Sequence, residues 1–537
     1  MATMATVQGA VPSQAALSDE AADDVKLLTR TETNHRRLTR WRFCAASGWA
    51  VSTALACVLV SLRPHSSHGS SSRGSSCLSD VSSRVDSILG DLTGTHVSWG
   101  VHIVSEQLGE LVDRSANRTF VPASNNKLLA TSAALTVLGP QHRIETTAMV
   151  SDGSLCITPA GDPSLDDGAL ALLAAKVRHA LPTASNLTLK LAISPWSPIP
   201  DTWEFGDLSE YYGAQPGAAI LNENVVHLWA TPAPTVGAPV SISFDDARDE
   251  TSVIIHNEAV TAAAAAVTDD AGGGGAVPAT TAPMLSYGYE VNPRSLEVVL
   301  RLTGSMALSD APRRLTVATR SPALLLAAHL ANATAAAGLT ATPAQFVDVC
   351  DSPRSGAVTS VSVHSAQLVE LVNHTLLVSD NLYAEAFLRS MGGASASAGL
   401  AAVRQALLST VGMRNADGWV YTDGSGLSRH NLVAPAMLTS LLRAMAASEL
   451  PSLLPVAGRT GTLAHRMVGT IAEGRVFAKT GTMSGVSSLS GYLRHPDRQR
   501  VGDVYFSLIA NNSPLGSSTL RAAQDAIVVA VAEASAC

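Results

Sequence analysis

The stretch Arg475-Val476-Phe477-Ala478-Lys479-Thr480-Gly481-Thr482, with Val486-Ser487-Ser488-Leu489-Ser490-Gly491-Tyr492-Leu493 after a polar turn, decides the fold. Short apolar and polar residues alternate along both runs, and Val504-Tyr505-Phe506-Ser507-Leu508-Ile509 follows after a further turn. A period of two interrupted by polar turns predicts consecutive antiparallel strands. Lys479-Thr480-Gly481 on an edge strand presents an ammonium and a hydroxyl to a cleft, and the glycine lets another backbone come close. Three letters are a short match. Their weight comes from two partners upstream, Ser124-x-x-Lys127 and Ser379-Asp380-Asn381.

Composition bounds what surrounds them. The 537 residues are 46% apolar and 15% charged, with a formal net charge of −8. This is a globular composition with room for several domains, and no basic excess points to nucleic acid. Only five of the 36 basic residues are lysines: Lys26, Lys127, Lys176, Lys190 and Lys479. Arginine serves almost wherever a cation suffices. A guanidinium does not give up its proton, whereas a buried ammonium can, so a lysine at position 127 favours chemistry over a solvated charge. The six cysteines are scattered without a CxxC pair, which argues against a zinc site.

Taken in order, residues 1–43 form a polar tail that is acidic at first and ends in Arg36, Arg37, Arg40 and Arg42. Cys44 to Leu62 is 19 residues without a charge, about the ~20 that cross a bilayer as a helix. The arginines before it predict a single-pass membrane protein with a cytosolic N-terminus and an extracytoplasmic or lumenal catalytic part. A retained anchor and a cleaved signal both fit; cleavage would make the protein secreted, and the long tail favours the anchor. Residues 63–77 read as a Ser/Gly linker. A helix is expected from Leu78 to Leu92, then strands His96–Val104 and Leu108–Asp113, then a helix opening at Ser124. Residues 146–345 contain short strands, turns and helices but no part of the motif set. They read as one or two inserted, mostly-β domains with a low-complexity Ala/Gly loop at 261–283. Residues 78–145 and 346–537 make the rest of the folded part, which ends in a helix from Thr519 to Ala534.

Residues three apart share a helix face, with Cβ atoms roughly 5–6 Å apart, so Ser124 Oγ and Lys127 Nζ can touch. A serine hydroxyl is a poor nucleophile until a base takes its proton. A lysine amine is that base where burial and neighbouring cations lower its pKa. Free N–H groups at the helix start can stabilise an oxyanion. On its four letters alone the motif more often describes a serine cap and a solvated lysine. All three motifs together, in this order, form the active-site set of penicillin-binding proteins and class A β-lactamases. Ser379 can relay a proton to a leaving amine, and Asn381 can hold a substrate amide. Lys479, with Thr480 and Thr482, can bind a terminal carboxylate. A similar run, Arg459-Thr460-Gly461-Thr462, lacks the lysine.

Ser124 and Ser379 lie 255 positions apart, too far for a β-lactamase layout. The chain resembles the D-Ala-D-Ala carboxypeptidase/endopeptidase family of low-molecular-mass, class C penicillin-binding proteins, which carry extra domains between these motifs. The resemblance extends to Gly161-Asp162-Pro163-Ser164-Leu165, Tyr212-Gly213-Ala214, Asn222-Glu223-Asn224, Ser379 to Glu385, Asp423 to Asn431 and Leu454 to Gly461. It covers residues 78–535. It implies an α/β (α+β) transpeptidase-like domain, with an antiparallel sheet flanked by helices. It further implies an acyl-enzyme on Ser124, with Lys127 as base and Ser379, Asn381 and Lys479 completing the catalytic set. Thr480, Gly481, Thr482, Asp423 and Ser425 would shape the substrate cleft, with a plain Gly-Ser turn as the alternative for Asp423 and Ser425, and the backbone N–H groups of Ser124 and Thr482 would form the oxyanion hole. Peptides ending in D-Ala-D-Ala or cross-linked peptidoglycan peptides would be substrates and β-lactams inhibitors, without metal or organic cofactor. In this family the first and last helices pack side by side, which suggests a Cys77–Cys537 disulfide. A serine esterase, a β-lactamase-like hydrolase and a membrane-anchored binding protein of the same fold remain as rival readings; an intact Lys127, Asn381 and Lys479 argue against the last.

Overall fold

The expected strands pair as the alternation requires. In a computed structural model, five strands form one antiparallel sheet in the order Val476–Met483, Val486–Leu493, Val504–Asn511, Ser98–Ser105, Gly109–Arg114. Described are residues 80–537 except 93–95, 152, 182–185, 194–198, 264–283, 293–296, 351–358, 414–417, 497–498, 500 and 537. Lys479, Thr480 and Gly481 sit on the edge strand.

Both faces of the sheet are covered, which is why Val486–Leu493 and Val504–Asn511 are buried along their whole length. On one face Val81, Val85, Ile527, Val528 and Val531 pack on Val101, Leu489 and Leu508. These bring the first and last described helices, Val81–Gly90 and Ser517–Ala536, side by side, and Arg84 Nη1 donates to the Ala530 carbonyl at 3.2 Å. On the other face Tyr492, Tyr505 and Ile509 meet Leu128, Leu129, Leu376, Phe387 and Leu438. Those residues come from helices Lys127–Val137, Leu368–Val378, Asn381–Met391 and Pro435–Ala444.

Between the first two motifs the chain builds a second core. A five-stranded mixed sheet runs Gln345–Val347, Thr188–Ala192, Ser154–Thr158, Glu145–Ser151, Thr359–His364. Its last strand shows the chain returning to the main body beyond residue 364. Helices Asp167–Ala180 and Pro322–Ala336 contribute to this core, and two three-stranded sheets and a two-stranded ladder complete it. A disulfide joins Cys156 to Cys350. Its partners were expected only as scattered cysteines; Cys77 and Cys537 lie outside the described residues.

One expectation needs correction. Among the described residues no helix is long and apolar enough to cross a membrane, so the structure does not support a single-pass membrane protein. The 20-residue helix Ser517–Ala536 carries Arg521, Asp525 and Glu533 and belongs to the core. The stretch Cys44 to Leu62 lies outside the described residues, as do the tail and linker.

His329, fully enclosed, ties the insertion together. Its Nδ1 is 2.7 Å from Asp167 Oδ1 and its Nε2 2.8 Å from Asp249 Oδ1. Burial opposes the imidazolium, but the bonds to Asp249 and Asp167 outweigh it, and the pKa is raised. The charged form is therefore favoured in the fold. Its stabilisation is complete below the unfolded value of about 6.5 and is lost as pH rises through the higher folded value. The denaturant midpoint should fall from pH 6 to pH 9, and His329→Gln should remove much of that difference.

Candidate active site

Ser124 occupies a 3-10 turn, Ala123–Asn126, that runs directly into helix Lys127–Val137. The turn is held from the sheet. Ser488 Oγ donates to the Pro122 carbonyl at 2.6 Å, and Asn511 Oδ1 accepts from Val121 N at 2.8 Å. With its amide oriented to satisfy both ends, Asn125 donates to the Lys479 carbonyl at 2.8 Å and accepts from Ser490 Oγ at 2.7 Å. Ser124 is thus fastened to the strand that carries Lys479, and its side chain forms no helix cap.

Lys127 has no solvent exposure. Its Nζ lies 2.9 Å from Ser124 Oγ, 2.5 Å from Asn381 Oδ1 and 2.8 Å from the Ser425 carbonyl. Burial pulls its pKa down to about 8 against the opposing pull of Asp380, Asp423 and Glu385. Lys479 is equally enclosed, and its Nζ donates to Ser379 Oγ and to the Thr480 carbonyl, both at 2.8 Å. Burial, reinforced by the Lys127 charge, pushes its pKa well below the ordinary lysine value. Two buried amines whose charges oppose one another resist being charged together.

The second motif sits in a bend between two helices. Ser379 ends Leu368–Val378 with φ of 67°, and Asp380 caps Asn381–Met391 by accepting from Tyr383 N at 3.1 Å. A left-handed serine costs of order 1–3 kcal/mol. The bend turns Ser379 toward Lys479 and Asn381 toward Lys127. Asn381 Nδ2 donates to the Tyr212 carbonyl at 2.7 Å, a support supplied by the insertion.

The Asp423–Ser428 turn closes the site from behind. Asp423 and Ser425, read either as cleft residues or as a plain turn, are fully buried, and Asp423 organises the turn. Asp423 accepts from Gly426 N, Ser428 N, Asn431 Nδ2 and Trp203 Nε1 at 2.7–3.0 Å. Its pKa is raised to about 6 by burial and by Glu385. Gly426, at φ of 83°, leaves no space for a side chain: an added Cβ would lie 2.0 Å from the Ala123 carbonyl oxygen.

These elements border a cavity of about 1370 Å³. Ser124, Ser379, Asn381, Thr480, Gly481 and Thr482 line it, with Tyr211, Tyr212 and Glu223 from the insertion. Lys127 and Lys479 lie behind this lining. Thr462, from the run that lacks a lysine, also lines the cavity and accepts from Thr480 Oγ1 at 2.9 Å. Glu223, His374 and Asp380 bring one ligand-type atom each within 4.8 Å of one another. They are partly exposed to the cavity, and no metal is assigned to them.

A serine contacting a buried lysine at a helix start, opposite a Lys-Thr-Gly edge strand, defines a serine hydrolase of the penicillin-binding class. The profile of the D-Ala-D-Ala carboxypeptidase 3 (S13) family matches residues 81–274 and 278–534. The chain belongs to that family and is a serine-type D-Ala-D-Ala carboxypeptidase, a peptidase of peptidoglycan-type peptides. It is 30% identical over 515 residues to penicillin-sensitive carboxypeptidase A of Dictyostelium discoideum, covering 86% of this chain and 93% of that one. With D-alanyl-D-alanine carboxypeptidase of Actinomadura sp. (strain R39) the identity is 32% over 488 residues, 85% of each chain. The fold matches the crystal structure of penicillin binding protein 4 from Haemophilus influenzae with a TM-score of 0.70 at 23% identity, covering 83% of this chain and 98% of that one.

The structure adds groups that motif reading did not single out as site residues: Glu385, Trp203, Asn431 and the Tyr212 carbonyl. The Tyr212-Gly213-Ala214, Ser379 to Glu385 and Asp423 to Asn431 resemblances contained three of them without indicating a role. Gly481 tests the assembly of the site. A Cβ there would lie 2.3 Å from Ser488 Oγ and 2.9 Å from both the Pro122 carbonyl oxygen and Ser124 N. Gly481→Ala should push the edge strand off the Ser124 turn and cost about 1–3 kcal/mol, read as a lower urea midpoint.

Proposed function

We propose that Ser124 is the nucleophile and Lys127 its base in hydrolysis of the terminal D-Ala-D-Ala bond. The observation that carries this reading is the 2.9 Å contact between Ser124 Oγ and an enclosed Lys127 Nζ. With a pKa near 8, Lys127 supplies a useful fraction of neutral amine at physiological pH. It takes the Ser124 proton as Oγ bonds to the carbonyl carbon of the penultimate D-Ala. The oxyanion forms between the N–H groups of Ser124 and Thr482; the close approach of Gly481 to Ser124 N supports that pairing. As the C–N bond breaks, the leaving D-Ala amine gains a proton through Ser379 and Lys127, with Lys479 polarising Ser379 from behind. Water then hydrolyses the ester and restores Ser124.

The amide of Asn381 and the hydroxyls of Thr480 and Thr482 hold the substrate backbone and terminal carboxylate. Lys479 contributes its field from beneath rather than by direct contact. Asp423 and Ser425 act through the shape of their turn. Cross-linked peptidoglycan peptides present the same bond and fit as endopeptidase substrates, and β-lactams, whose strained amide mimics it, acylate Ser124. In this reading, residues 80–144 and 365–537 form the peptidase domain and 145–364 the inserted part; the second boundary lies beyond the expected residue 345 because strand Thr359–His364 pairs with Glu145–Ser151.

A fluorescent penicillin should label the wild-type protein on Ser124 by mass mapping. Ser124→Ala should lose both labelling and hydrolysis of a D-Ala-D-Ala peptide while keeping the fold. Hydrolysis that persists in that variant sinks the assignment. The acylation rate constant should fall about tenfold per pH unit below about 8, because the base form of Lys127 is lost there.

A further inference from the structure

Glu385 lies on helix Asn381–Met391, one turn beyond Asn381, with its side chain wholly enclosed. Its Oε1 accepts from two consecutive main-chain groups, Gly424 N at 2.8 Å and Ser425 N at 2.9 Å. Its Oε2 accepts from Arg389 Nη1 at 2.9 Å. The turn is seated tightly on the helix: a Cβ at Gly424 would lie 2.6 Å from the Ala384 carbonyl oxygen. The Ser425 carbonyl so fixed is one of the three oxygen partners of Lys127 Nζ.

The chemistry of a neutral amine gives this arrangement its meaning. Such an amine has two N–H bonds and one lone pair. The Asn381 amide oxygen and the Ser425 carbonyl can only accept, so they occupy the two N–H bonds. The remaining direction, toward Ser124 Oγ, is left to the lone pair. Asn381 is placed by the same helix as Glu385, and Ser425 is placed by the Glu385 carboxylate.

We propose that Glu385 is a positioning residue for acylation: it fixes the Gly424–Ser425 turn and thereby aims the Lys127 lone pair at Ser124. The proposal rests on the roles given above to Ser124 and Lys127. Lys127 is faced by Lys479 from the edge strand, Asp380 from the helix cap, Asp423 from the turn and Glu385. Glu385 is faced by Arg389, Asp423 and Tyr421. Its negative charge favours the Lys127 ammonium, so removing that charge should release the base form at lower pH.

Fluorescent-penicillin acylation of Glu385→Ala, Glu385→Gln and the double variant Glu385→Gln/Arg389→Met, followed from pH 5.5 to 10, tests this. The rate constant, unlike the yield of adduct, reports only folded molecules. In the double variant the buried guanidinium is also removed, so the amide is tested without an unpaired cation. Glu385→Ala should lower the limiting acylation rate constant about 10- to 100-fold, the scale of a small misplacement of a reacting group, with the half-saturating concentration little changed. Glu385→Gln should move the acidic limb of the profile to lower pH, and the double variant should move it less, because loss of the Arg389 cation opposes loss of the Glu385 anion. That combination supports the proposal. A rate loss with an unmoved limb is the mark of a merely structural role and overturns it, as does any other combination. A wild-type protein that is labelled elsewhere than Ser124 overturns the parent reading, and the proposal with it.

Discussion

An enclosed lysine amine with three oxygen partners sets the terms for the rest of this structure. Lys127 can be buried only because Ser124, Asn381 and the Ser425 carbonyl accept from it or return a proton to it. Each partner comes from a different stretch of chain, so all three stretches must be brought together with close tolerance. The antiparallel sheet supplies one wall, the Ser379 bend another and the Asp423–Ser428 turn the third. Burial also carries the amine's pKa down to about 8, and the acidic neighbours keep it from falling further.

A second enclosed lysine shares that wall. Lys479 reaches Ser379 rather than the cavity, so both amines sit behind a lining of serine, asparagine and threonine. Buried positive groups of this kind are costly unless partnered, and Asp380, Asp423 and Glu385 answer the charge of Lys127. The carboxylates, in turn, are held by main-chain N–H groups, by Asn431 and Trp203, and by Arg389. Local geometry and charge balance are therefore one problem solved by the same contacts.

Much of this was legible in the sequence where the information is local. Alternation along 476–511 announced antiparallel strands, and three-residue spacing placed Lys127 beside Ser124. The rarity of lysine drew attention to positions 127 and 479. What stayed hidden depends on contacts between distant stretches. Nothing near Glu385 reveals that its carboxylate will meet Gly424 and Ser425, and nothing near Asp423 reveals that the Ala123 carbonyl will pack against Gly426. The cysteines gave no hint of the Cys156–Cys350 pairing, because registry in the insertion's sheet decides it. The arginine-flanked apolar stretch at 44–62 suggested a membrane span, and among the described residues no helix fills that role.

Two of the contacts that the insertion makes with the site differ in what they ask of heredity. Trp203 offers its indole N–H to Asp423, so only a side chain of similar reach and donor chemistry can replace it. Tyr212 offers its main-chain carbonyl to Asn381, and a carbonyl is common to every residue type. Position 212 can therefore drift in evolution while the bond persists, provided the neighbouring Gly213, packed against the Asp207 carbonyl oxygen, keeps the backbone in place. Among related chains, invariance at 203 and 213 beside variety at 212 would be the inherited trace of one support made by a side chain and another made by the chain itself.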